Sequence, residues 1–121
     1  MAEYRYYNVS PNQVKRNDCV TRAICLASGL PYSIVRQKLY HTSKLLDCER
    51  VCMSCYQFLI HDVLGGIPVD CEGYTVNEFA DKHPIGVYLV RMEAHISTII
   101  DGVIYDIFDC RSHELTNAWR M

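Results

Sequence analysis

Asp101-Gly102 sits between two runs rich in β-branched and aromatic residues, Ile96 to Ile100 and Val103 to Phe108. An Asp-Gly pair flanked in this way is a strong hairpin signal, because both central positions of a type I′ turn need a positive φ. A third run, Val87-Tyr88-Leu89-Val90, precedes them. The C-terminal part therefore reads as an antiparallel meander. The N-terminal part reads as helical, so the chain belongs to the α+β class. Its 121 residues predict a single domain spanning 1–121.

The helical reading comes from start and stop signals. Asn17 or Asp18 caps a first helix that runs to Ser28, with Gly29 as left-handed terminator and Pro31 preventing continuation. Val20, Ile24 and Ala27 form one apolar face and Cys19, Ala23 and Leu26 another, the pattern of a central, buried helix. Ser33 is expected to cap a second helix over Ile34 to Tyr40, and Leu45 to Leu64 reads as mostly helical up to Gly65-Gly66. Ile67 to Cys71 reads as a short strand, with Pro68 marking an edge. Thr75-Val76-Asn77-Glu78 has capping-box spacing and opens a short helix that Pro84 stops. Residues 1–16 read as an irregular or extended arm.

Net charge is −2 and no lysine or arginine run appears, so no nucleic-acid partner is expected. No apolar run approaches the ~18 residues a membrane span needs, and the N-terminus has no apolar signal core. A soluble, cytoplasmic protein is expected. Seven cysteines without a signal peptide favour reduced thiols over a disulfide framework.

Cys19 opens the first helix, where the macrodipole favours a thiolate. A two-residue turn at Asp101-Gly102 pairs Ile100 with Val103 and Ser97 with Asp106. His95, Ser97 and Ile99 then share one face with Ile104, Asp106 and Phe108, and Asp106 lies diagonal to His95. Asp109 points to the other face; a longer loop or a bulge would shift the register and reopen that choice. In this arrangement Cys19 is the nucleophile, His95 the general base and acid, and Asp106 the group that orients the imidazole. The oxyanion has two candidate donors, the backbone N–H of Cys19 and the side chain of Gln13.

The segment Gln13-Val14-Lys15-Arg16-Asn17-Asp18-Cys19 resembles the start of papain-like cysteine peptidases, above all the bacteriocin-leader peptidase branch. The Asn-Asp-Cys start and the His…Asp-Gly-Val-Ile-Tyr-Asp ending also resemble small uncharacterised phage and bacterial proteins of that fold. The resemblance implies a papain-like domain, with Cys19 at the start of the central helix packed on a C-terminal antiparallel sheet. It implies a Cys19-His95-Asp106 triad with Gln13 completing the oxyanion hole, a peptide or protein substrate, and no cofactor. Val20 and Ile107 depart from the glycine and proline usual at those positions.

Two other classes compete. One is a catalytically inactive papain-fold binding protein, phage-encoded and acting on a host protein in the host cytoplasm. The other is a zinc module built from Cys48, Cys52, Cys55, His61 and Cys71, whose spacing is off the usual Cys-x2-Cys pairs. Within a helix, Cys52, Cys55 and Leu59 fall on one apolar face, which favours core packing and no metal. His41, His61, His83 and His113 have no evident partner, and Trp119 is expected to pin the tail to the core. The substrate and the oligomeric state are not encoded in any recognisable motif.

Overall fold

A computed structural model describes residues 1–11 and 18–121. In chain order the elements are β1 (Glu3–Tyr6), α1 (Cys19–Ser28), α2 (Tyr32–Leu46), α3 (Met53–Phe58), β2 (Ile67–Val69), α4 (Val76–Lys82), β3 (Val87–Met92), β4 (His95–Ile100), β5 (Val103–Asp106) and β6 (Asn117–Arg120). The α+β class holds.

The turn at Asp101-Gly102 has the expected geometry, with φ of 48° and 77°. Both positive values match a type I′ turn, and the register follows: Ile100 opposite Val103, Ile99 opposite Ile104, Thr98 opposite Tyr105. The six strands form one sheet in the order β1-β5-β4-β3-β6-β2. The C-terminal strands pair antiparallel as expected, and the sheet is mixed because the N-terminal β1 joins it in parallel. Residues expected to form an irregular or extended arm supply β1, which runs parallel to β5 with Tyr4 opposite Ile104. An edge strand presents unpaired backbone groups, and β1 satisfies those of β5. Pro68 lies on β2 at the other edge, where a missing N–H costs least. Trp119 is buried as expected, but the tail that carries it is strand β6, inserted between β3 and β2.

Both faces of the sheet are covered. Against one face, Val20 and Ile24 of α1, Val35 and Leu39 of α2 and Cys55 of α3 meet Leu89, Ile96 and Trp119. Against the other, Val76 and Phe79 of α4 meet Val90, Met92, Ile99 and Ile104. A doubly covered strand has no polar face, which is why β3 reads as a continuous apolar run. Among the described residues, no helix is long and apolar enough to cross a membrane.

Helix α1 spans the expected residues and stops at Gly29, whose φ is 75° and whose N–H bonds the Cys25 carbonyl. It lies along β4, and the Thr98 hydroxyl donates to the Ala23 carbonyl at 2.8 Å. Helix α2 is longer than expected. It begins after Pro31 rather than at a Ser33 cap, and it runs on to Leu46, with the Thr42 and Ser43 hydroxyls donating back to the carbonyls of Lys38 and Tyr40. Residues 45–64 are less helical than expected. Asp47 turns left-handed at φ 53°, and helix resumes only at α3, which runs into a π-helical turn at Leu59–Val63.

The capping box at the start of α4 is complete: the Thr75 hydroxyl accepts from the Glu78 N–H, and the Glu78 carboxylate accepts from the Thr75 N–H. Thr75→Ala is expected to lower the unfolding free energy by about 1 kcal/mol, read from urea denaturation. Thr75→Ser should recover most of the loss.

Candidate functional site

Cys19 is the first residue of α1 and is half-buried. Asp18 stands at the N-cap position, and its carbonyl accepts the Arg22 N–H at 2.8 Å. Its carboxylate does not cap the helix. It forms an ion pair with Arg22 one turn along, and it accepts the Tyr32 hydroxyl at 3.1 Å. A charged partner at i+4 in a buried setting outcompetes neutral backbone N–H groups for the carboxylate. The negative charge beside the thiol is thereby balanced by a guanidinium. Burial pulls the pKa of Arg22 down, and the charge of Asp106 acts in the opposite sense. Gln13 and Asn17 lie outside the described residues.

His95 opens β4 and Asp106 ends β5, so the hairpin register brings them together. The His95 Nε2–H donates to Asp106 Oδ2 at 2.6 Å, and both side chains are nearly enclosed, 11% and 4% exposed. Asp106 Oδ1 accepts the Ile107 N–H at 2.7 Å, and the Cys110 thiol lies 3.8 Å from Oδ2. Burial, reinforced by the Asp106 charge, pushes Cys110 up to about 12, so it faces Asp106 as a neutral thiol. Asp109 pairs instead with Arg111 at the surface.

The second group that favours a charged imidazole is Cys19, through its thiol. With Nε2 committed to Asp106, Nδ1 is the nitrogen left for the sulfur. Burial works against a charged imidazole, but Asp106 and then Cys19 outweigh it and raise His95 to about 9. The Phe108 ring packs on the imidazole with centroids 4.5 Å apart.

Cys19 and His95 both line a cavity of about 450 Å³. Its other walls include Met53 and Tyr56 of α3, Arg91 of β3, and Phe108. Arg22, Tyr56 and Arg91 are neighbours that sequence reasoning did not single out, whereas the hairpin register had already set Phe108 on the His95 face. A signal existed for two of them: Arg22 follows Asp18 at ion-pair spacing, and Arg91 is a charge within an otherwise apolar strand.

The remaining candidates lie elsewhere. Cys55 is buried in one core cluster and Cys71 in the other, and Cys52 is exposed at the N-cap of α3. The expectation that Cys52 shares an apolar face with Cys55 and Leu59 therefore fails, because the helix starts only after it. Among the described residues, no three His, Cys, Asp or Glu side chains converge on a metal-sized site. His61 has a partner after all, accepting the Trp119 indole N–H at 2.5 Å. His83 bonds the Phe79 carbonyl at 2.8 Å and stacks on that ring. Comparison with family models, curated proteins and solved structures finds no match to this chain.

Proposed function

We propose that the protein is a small cysteine hydrolase of papain-like type that cleaves a peptide or isopeptide bond. The observation that carries this reading is one imidazole bonded to the Asp106 carboxylate at 2.6 Å and sharing the wall of an open cavity with Cys19, whose thiol helps to raise its pKa. A helix-borne thiol, a strand-borne histidine and a carboxylate on the next strand are the parts of a thiol acyl-transfer site.

Each group has a distinct task. The Cys19 thiol gives its proton to His95 as its sulfur attacks the substrate carbonyl carbon, and the carbonyl π pair moves onto oxygen. The oxyanion accepts from the backbone N–H of Cys19 and, by the resemblance, from Gln13. When the C–N bond breaks, the departing amine takes a proton from His95, and the acyl group stays on sulfur as a thioester. Water then adds to that thioester, giving a proton to His95, and the carboxylic acid leaves with Cys19 restored. Asp106 holds the ring so that Nδ1 keeps facing the sulfur. Phe108 shields one side of the imidazole from water.

Iodoacetamide is the direct test, because it needs no known substrate. At neutral pH, Cys19 should be alkylated at least about tenfold faster than the exposed Cys52, read by peptide mass spectrometry. His95→Ala should remove that advantage. If Cys19 reacts no faster than Cys52 in the wild type, the hydrolase reading fails and the inactive binding protein takes its place.

A further inference from the structure

We infer that the cleft recognises a substrate carboxylate, held by Arg91, close to the bond that Cys19 attacks. This inference rests on the hydrolase reading and adds the substrate class to it. Strands β3 and β4 pair with Met92 opposite His95 and Arg91 opposite Ile96, so Arg91 stands one rung from the catalytic histidine. Its side chain lines the same cavity.

The guanidinium is held but not neutralised. Its Nε donates to the Tyr56 hydroxyl at 2.6 Å and its Nη1 to the Thr116 hydroxyl at 2.8 Å. Both partners are neutral groups: burial pushes the Tyr56 phenol up, against the opposing pull of Arg91. Among the described residues, no carboxylate pairs with Arg91. The two bonds fix the orientation of the guanidinium and, among the described residues, leave N–H donors unused, and a planar fork of this kind matches a carboxylate. The described lining contains no Asp or Glu, and the one other arginine in it, Arg22, is already paired with Asp18. A chain of net charge −2 thus presents a positive cleft. Val51, Met53 and Phe108 give that cleft apolar walls. The ligand it fits is an acidic group with an apolar neighbour, either an Asp or Glu side chain or a C-terminal carboxylate.

Charge-matched reagents separate these cases in the full chain. Cys19 and Cys52 are alkylated in parallel with iodoacetate and iodoacetamide at low salt. The acetate-to-amide rate ratio is expected to be about tenfold higher at Cys19 than at Cys52, and to fall towards the Cys52 ratio in Arg91→Gln. Protection of wild-type Cys19 from iodoacetamide gives a second measurement that needs no variant. N-acetylglutamic acid α-amide carries only a side-chain carboxylate, and N-acetylglutamine only a terminal one. Protection by the first identifies a side-chain carboxylate and by the second a terminal one, while the neutral N-acetylglutamine amide should protect least. Equal ratios at the two cysteines, a Cys19 ratio unchanged by Arg91→Gln, or no protection beyond that of the neutral amide would each overturn the carboxylate assignment and leave the hydrolase reading standing. A Cys19 that outpaces Cys52 with neither reagent overturns both.

Discussion

Cys19→Ala is expected to abolish hydrolysis, lowering kcat by about a million-fold on any fluorogenic peptide the wild type turns over. The fold should survive, because Cys19 is only half-buried and alanine suits the first turn of a helix. His95→Ala should cost nearly as much, and the double variant little more than either, because nucleophile and base act as one unit. The pH profile is the sharper test. His95 must carry a proton to release the amine, and burial, opposed by Asp106 and then Cys19, leaves its pKa at about 9. The rate of hydrolysis should therefore fall on the alkaline side with an apparent pKa near 9, a value that belongs to the Cys19–His95 couple as a whole. Asp106→Asn removes the negative charge of the stronger of the two groups that raise the His95 pKa and should move that limb downward. Stability follows the same sign. The folded chain holds the His95 proton more tightly than the unfolded chain, with its ordinary value of 6.5. The stabilising contribution is thus fully present below about 6.5 and is lost as pH rises through about 9. An alkaline limb near 6.5, or none, would show that Asp106 and Cys19 do not hold the imidazole in solution.

The parts of this molecule that were legible in the sequence are those decided locally. Asp101-Gly102 sets its own turn and hence the register that brings Asp106 to His95. Gly29 ends α1 and Thr75 starts α4 through contacts within a few residues. The illegible parts depend on distant partners. Tyr4 finds β5 across most of the chain, and β6 enters the sheet between strands that precede it in sequence. Neither placement leaves a periodic trace in the segment itself. The site divides in the same way. Cys19, His95 and Asp106 follow from a helix start and a hairpin, whereas Tyr56 and Arg91 meet only because α3 packs beside β3. Asp18 was legible as a cap by position but not by partner, because its choice of Arg22 depends on burial that the sequence does not display.

That choice has a large energetic consequence. Arg22→Met is expected to lower the unfolding free energy by about 3–5 kcal/mol, measured by urea denaturation. Both side chains of the Asp18–Arg22 pair are only 7% exposed. Removing the guanidinium leaves the Asp18 carboxylate, among the described residues, with the Tyr32 hydroxyl alone, and deprives Asp106 of a nearby positive charge. The cost is that of an uncompensated buried charge, so neutralising the acid as well should recover most of it. Asp18→Asn/Arg22→Met is therefore expected to approach wild-type stability, although either single change is harmful. The pair also bears on the chemistry, because an unbalanced carboxylate one residue from Cys19 repels the electron-rich sulfur. Alkylation of Cys19 should slow in Arg22→Met and recover in the double variant. If Arg22→Met were instead as stable as the wild type, the Asp18 carboxylate would have to be satisfied by the N–H groups at the start of α1, as a true N-cap.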